Sequence, residues 1–345
     1  MAEWPLGDDP SGWPTVSVVM PIRNEAENLR TAVEAVLAQE YPLPFEVCLA
    51  VAPSDDGTNE IARELAASSD RVMVVDNVAA TTPAGLNAAI RATVGEVVVR
   101  VDGHAKLSDG YIRRAVETMS TTGAVNVGGI QHAVGQTPFE EAVAAAMTSW
   151  LGTGGSKFHV GGNAGSVDTV YLGVFRRKAI EAVGLFDERL IRNQDYELNI
   201  RLRAAGGIIW FDPTLRVTYR PRGTFGSLAK QYWEYGWWKA EVAVRHPTTV
   251  RLRQLAPPLA VIGLAGALPL ALRSRSARLL LASYAGAVGS VATVQRRGWL
   301  VVIYPTMHVS WSLGSLCGLP RALSRRRGGG RRSTTPARSW RAGCR

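Results

Sequence analysis

The sequence predicts an α/β fold: a mainly parallel sheet with helices on both faces, followed by helices of membrane-like composition. Three observations predict it. Short apolar runs alternate with stretches of helical spacing over the first hundred residues, as when crossover helices join parallel strands. Polar residues follow directly on the ends of those runs. Charge is partitioned along the 345 residues: positions 1–241 carry 22 Lys and Arg and all 29 acids, whereas positions 242–345 carry 17 Arg and no acid. Hydrophobic content of 46% is enough for a sizeable core. The expected divisions are a polar, Pro-rich lead (1–14), an α/β domain (15–250), apolar membrane-associated helices (251–320) and a basic disordered tail (321–345).

The first strand is Val16–Ile22, a short, mainly apolar run suited to burial on both faces. Asn24 and Glu27 then have capping-box spacing, and Leu29, Val33, Val36 and Leu37 continue at helical spacing. A second strand over 45–51 runs into the turn Pro53-Ser54-Asp55-Asp56-Gly57-Thr58 and a helix over 59–67. A third strand over 72–75, a helix over 83–93 and a fourth strand over 96–101 lead to Asp102-Gly103-His104. Parallel sheets bind ligands beyond the carboxyl ends of their strands. Asn24, Asp56, Asp102 and His104 all follow strand ends, so the fold gathers them on one rim. Carboxylates with an imidazole suit a cation, and a cation neutralises phosphate, so a nucleotide-like ligand is expected. The sequence has no dinucleotide or P-loop fingerprint.

The sequence is glycine-rich from 128 to 173, and within it residues 157–165 read as loop. Its His159 reads either as a substrate contact or as a polar surface group. Residues 192–207 read as one helix, with Leu198 and Leu202 buried and Gly206-Gly207 as its stop. Taken alone, Asp195 is a helix-start charge and Glu197 the partner of Arg201. A strand over 208–211, a Pro213 turn and a segment over 216–220 follow. Residues 231–239 hold five aromatics around Gly236, suited either to a membrane interface or to a sugar or lipid site.

Three uncharged runs (255–272, 279–294 and 299–319) are separated by Arg clusters and read as membrane helices, the first two short. The first two form a hairpin, and the third, with Pro305 and His308, lies in the interface or against the protein. Three full crossings are the rival. The nine Arg of the tail suit anionic lipid headgroups rather than nucleic acid. Three scattered cysteines imply a reducing compartment, and the N-terminus lacks a signal-peptide pattern, so a cytoplasmic-membrane protein with its catalytic domain facing the cytoplasm is expected.

In order, Val18-Val19-Met20-Pro21-Ile22-Arg23-Asn24-Glu25, Ser54-Asp55-Asp56-Gly57-Thr58, Asp102-Gly103-His104 and Gln194-Asp195 resemble the inverting family 2 glycosyltransferases of GT-A fold, and within them the ExoA-like subgroup of bacterial polysaccharide assembly. The resemblance covers about residues 15–260. It implies a nucleotide-sugar donor, a divalent metal (Mg²⁺ or Mn²⁺), a general base, and a lipid-linked saccharide or polysaccharide acceptor. It places the donor against Pro21, Arg23, Asn24, Glu25, Ser54, Asp56 and Asp102, the metal on Asp102 and His104, and the base at Asp195. The acceptor falls to His159, Gln194, Gln231, Trp237 and Trp238. Two departures stand out. Val51-Ala52-Pro53 replaces the acids often found before Ser54, which leaves the nucleotide open, and the Gln-x-x-Arg-Trp acceptor motif is partial. The competing readings are a membrane-associated sugar nucleotidyltransferase, which would want a Gly-rich loop after the first strand, and a non-catalytic lipid-binding scaffold.

Overall fold

The computed structural model describes residues 12–327. The first half runs β1 (Val16–Ile22), α1 (Leu29–Leu37), β2 (Glu46–Val51), α2 (Thr58–Ser68), β3 (Val72–Asp76), α3 (Thr82–Ala92) and β4 (Val97–Arg100). The second half runs β5 (Lys106–Leu107), α4 (Tyr111–Thr122), β6 (Asn126–Ala133), α5 (Pro138–Met147), α6 (Trp150–Thr153), α7 (Lys157–Val160), β7 (Gly165–Ser166), β8 (Tyr171–Arg176), α8 (Arg177–Ala182), α9 (Gln194–Ala204) and β9 (Ile209–Tyr219). Four helices end the described chain: α10 (Phe225–Arg245), α11 (Leu252–Leu270), α12 (Arg275–Val294) and α13 (Leu300–Arg327).

The strand order is β3-β2-β1-β4-β8-β6-β9-β5, with β7 pairing β9. The expected parallel sheet is its first half: β1 pairs β2 and β4 in parallel, and β2 pairs β3. Beyond β4 the sheet is mixed, because β8 enters antiparallel. Alternate residues of β1 serve opposite faces. Val16, Val18, Met20 and Ile22 pack with α1, α2 and α4, while Val19 packs with α3, α8 and α9. That double burial is why β1 reads as a mainly apolar run. The chain passes from β1 outward to β3 and returns to the other side of β1 at β4, so the sheet's switch point lies between the carboxyl ends of β1 and β4.

Two expected features differ. Asn24 and Glu27 form no capping box: α1 starts at Leu29, and Asn24 sits in the left-handed region at φ 53°. Pro213 does not end a strand, because β9 continues through it. The register against β6 shifts between Gly128 and Ile130, and the bulge takes up the proline. Asp212 secures the bulge by accepting from the N–H and hydroxyl of Thr214 (2.9 and 2.6 Å), from the Thr118 hydroxyl (2.9 Å) and from Arg114 Nε (3.3 Å). Burial opposes its charge, but these donors together hold its pKa below the ordinary carboxylate value. Asp212 therefore stabilises the fold above the ordinary carboxylate range, and the increment vanishes as pH falls through its folded value. Asp212→Asn should cost about 1–3 kcal/mol at neutral pH. In paired urea melts the gap to wild type should close in acid; a gap that widens there would contradict this account.

α10 begins with a capping box between Thr224 and Ser227. α13 lies along it with backbone nearly touching backbone. A Cβ on Gly236 would run into the Trp311 carbonyl, and one on Gly314 into the Trp233 carbonyl. Gly236→Val should therefore destabilise the protein by about 3 kcal/mol, read as a lowered melting midpoint. A wild-type melt would disprove the close seam.

α12 and α13 are long and apolar enough to cross a membrane, and α11 is shorter. Of their most apolar windows, 17% is buried for α12 and 39% for α13, which agrees with the third run packing on the protein. α13 continues to Arg327, so the first seven residues of the expected disordered tail are helical. The remainder of that tail, and residues 1–11 of the lead, lie outside the described residues.

Candidate active site

At the switch point, Asn24, Glu25 and Ala26 leave β1 and are tied to the turn after β2. The Asn24 N–H donates to Ser54 Oγ (3.1 Å), the Glu25 N–H to Thr58 Oγ1 (2.8 Å) and the Ala26 N–H to Asp56 Oδ2 (3.0 Å). Asn24 Oδ1 in turn accepts from the Asp55 N–H (3.3 Å), a local bond that suits a left-handed Asn. Asp56 Oδ1 accepts from the Thr58 hydroxyl (2.6 Å) and N–H (3.0 Å). The Thr58 hydroxyl, then the Ala26 N–H, lowers the Asp56 pKa. Asp56 is thus engaged through both oxygens in shaping the rim. Pro21 pairs with Ala50 inside the sheet, and Arg23 reaches the Ala80 carbonyl (3.4 Å).

The end of β4 supplies the acidic side. Glu25 Oε1 lies 2.6 Å from His104 Nδ1, and this bond is the main reason the His104 pKa is raised. It leaves Nε2 without a hydrogen-bond partner among the described residues. Arg100, only 5% exposed, donates from Nε and Nη2 to Asp102 Oδ1 (3.1 and 2.9 Å) and from Nη1 to Asp195 Oδ1. Burial opposes the Arg100 charge, yet Asp102 and Asp195 outweigh it and raise its pKa. Asp195 reaches the site from the first turn of α9, which a left-handed Asn193 (φ 60°) starts. Burial lifts the Asp195 pKa against the pull of Arg100. Gln194 is buried beside it.

Among the described residues no three His, Cys, Asp or Glu side chains form a ready metal cluster. A cation would take two protein donors, Asp102 and His104 Nε2, and the rest from phosphate and water. Glu25 behind Nδ1 is the arrangement that orients a metal-binding imidazole, so the residues fit a divalent ion.

Apart from Gln194, the expected acceptor residues are engaged in packing or hydrogen bonds within the fold. Gln231 donates through Nε2 to the Tyr219 and Tyr235 hydroxyls (both 2.9 Å), and its buried Oε1 has no partner. It therefore sets two tyrosines rather than facing solvent. His159 lies on α7, its ring 4.2 Å from that of Phe158, and burial pushes its pKa down to about 4. Phe158 in turn stacks on Tyr171 at 6.5 Å. Trp237 and Trp238 are both engaged in packing. Trp237 stacks on Trp233 at the α13 seam, and Trp238 packs with Leu190, Ile200 and Val242. The aromatic cluster of α10 is consumed by packing on two sides. Glu197 keeps its bland role, pairing with Arg201 (2.7 Å) and His246 (3.1 Å). Arg100 was missed from sequence. Its signal is a lone cation closing an apolar strand.

A family model described as glycosyl transferase family 2 matches residues 17–184, stopping short of Asp195. The chain is 34% identical over 307 residues to the succinoglycan biosynthesis protein ExoA of Rhizobium meliloti (strain 1021), covering 86% of this chain and 92% of that one. It is 24% identical over 230 residues to the dolichyl N-acetyl-alpha-D-glucosaminyl phosphate 3-beta-D-2,3-diacetamido-2,3-dideoxy-beta-D-glucuronosyltransferase of Methanococcus voltae, covering 64% of this chain and 71% of that one. Among solved structures, the mannosyltransferase PcManGT from Pyrobaculum calidifontis, in complex with GDP-Man and Mn²⁺, superposes with a TM-score of 0.64 at 19% identity, covering 91% of this chain and 90% of that one.

Proposed function

The chain belongs to glycosyl transferase family 2, and from that premise we propose that it moves a sugar from a nucleotide-sugar donor to a hydroxyl of a lipid-linked or polysaccharide acceptor at a membrane surface. The observation that carries this reading is the joining of Asp102 and Asp195, from distant elements, through one buried arginine at the switch point of the sheet. Transfer with inversion is an in-line attack by an acceptor hydroxyl on the anomeric carbon. Asp195 takes the hydroxyl proton as the bond to carbon forms and the bond to the leaving diphosphate breaks. One carboxylate suffices, because no glycosyl-enzyme intermediate is made. The loop of Asn24, Glu25, Ser54 and Asp56 shapes the nucleotide side. Asp102 and His104 would hold Mg²⁺ or Mn²⁺, which neutralises the charge of the leaving diphosphate.

Membrane residence is supported by the apolar surface of α11 and α12. Leu259, Ile262, Leu268, Leu279 and Leu280 are all exposed, with Arg273 and Arg275 between the two helices. Apolar helices ended by Arg suit a bilayer, with the cations held at the level of the lipid headgroups. On this reading α11 and α12 form the crossing hairpin and α13 packs on the catalytic domain. A lipid-linked acceptor is in keeping with the dolichyl-linked substrate named for the relative from Methanococcus voltae.

The test is transfer of radiolabelled sugar from a panel of nucleotide sugars by membranes containing the full chain. Label should enter a lipid-extractable or polysaccharide fraction with at least one donor. Release of pyrophosphate from a nucleoside triphosphate and a sugar phosphate, with no transfer, would identify a nucleotidyltransferase instead. Inertness with every donor would leave only the scaffold.

A further inference from the structure

We propose that Arg100 is a positioning residue that fixes the base relative to the donor-side carboxylate by holding one oxygen of each. The inference rests on the transfer reading above. Arg100 closes β4, whose Val97, Val98 and Val99 are all buried. A guanidinium so placed is costly unless its donors are matched to charge. Nε and Nη2 go to Asp102 Oδ1, and Nη1 goes to Asp195 Oδ1. Neither Oδ2 accepts a hydrogen bond from the described residues. Each carboxylate therefore has one oxygen anchored and one left for the reaction.

The planar fork of Arg sets the angle between the two partners, which a point-like ammonium cannot do. A comparison within the molecule separates this role from ordinary scaffolding. Arg201 also pairs with a buried acid, Glu197, but spends further donors on the Val183 and Leu185 carbonyls and so ties loops together. Arg100 donates to side-chain carboxylates, and both belong to the proposed chemistry.

The experiment uses the full chain in membranes, with a donor and acceptor that wild type uses. An inactive wild type overturns the transfer reading itself; the arginine's role fails by itself only when wild type is active. Arg100→Lys and Arg100→Met are each expected to lower kcat about 100-fold, the loss that follows from misplacing a reacting group. Donor KM should stay within about threefold. Mn²⁺ binding without donor, read by electron paramagnetic resonance, should not weaken. In an Asp195→Asn background, Arg100→Met should cost little more, because the base it aligns is already gone. If Arg100→Met shows no cooperative melt, Arg100→Lys carries the test. A Lys variant within about threefold of wild-type kcat overturns the proposal. So does a full second loss in the Asp195→Asn background, or a kcat restored by saturating Mn²⁺, which would confine Arg100 to the metal side.

Discussion

Asp195→Asn should lower kcat about a thousandfold while leaving the donor's KM within about threefold. The substitution is close in shape. An amide oxygen can still accept from Arg100 Nη1, so the alignment of α9 at the rim survives and only the ability to take a proton is removed. Burial raises the Asp195 pKa, and the sign of that shift matters. The base is lost as pH falls through a value above the ordinary carboxylate pKa of about 3.9, so the acid limb of kcat/KM, which reports the free enzyme, lies above that figure. The Asn variant should lose this limb from its residual activity. Near-normal kcat in the Asn variant would disprove the assignment.

Asp102→Asn should be comparably severe, about a thousandfold in kcat/KM, but distributed differently. An amide can still meet Arg100 but is a poor ligand for a hard divalent cation. The donor's KM should therefore rise together with the Mn²⁺ concentration needed for half activation. His104→Ala should shift the metal requirement less, and His104→Asp should restore much of it by returning an anionic oxygen. Metal removal with EDTA should abolish transfer by wild type. Metal-independent transfer, or an Asp102→Asn enzyme with an unchanged Mn²⁺ requirement, would remove Asp102 from the metal site.

Much of this arrangement was legible in the sequence where burial and chain topology act locally. β1 could be read because both of its faces are covered, which leaves a mainly apolar run. The rim could be read because Asn24, Asp56, Asp102 and His104 each sit directly past a strand. α9 could be read from Leu198 and Leu202, and its stop from Gly206, which lies at φ 85°. The errors share one cause, competition from distant partners. Asn24 looked like a helix cap, but its side chain is taken by the Asp55 N–H. Pro213 looked like a strand breaker, but a bulge opposite Gly128–Ile130 absorbs it. The aromatics of α10 left a membrane interface and a sugar or lipid site equally open, and their packing against α13 and the Leu190–Ile200 cluster was not legible in the sequence. Arg100 could not be placed without knowing that α9 comes to rest beside β4.

The change of direction in the sheet, parallel up to β4 and mixed beyond it, also bears on synthesis. A chain that emerges from the ribosome builds β1 to β4 first and thereby owns Asp102 and His104. Asp195 arrives with α9, which follows β8, the antiparallel partner of β4, in the chain. A fragment ending at residue 184 would carry the donor rim and Arg100, but no base. On the proposed role of Asp195, incomplete or prematurely released chains are expected to be inert toward the acceptor until the two halves have closed on one another.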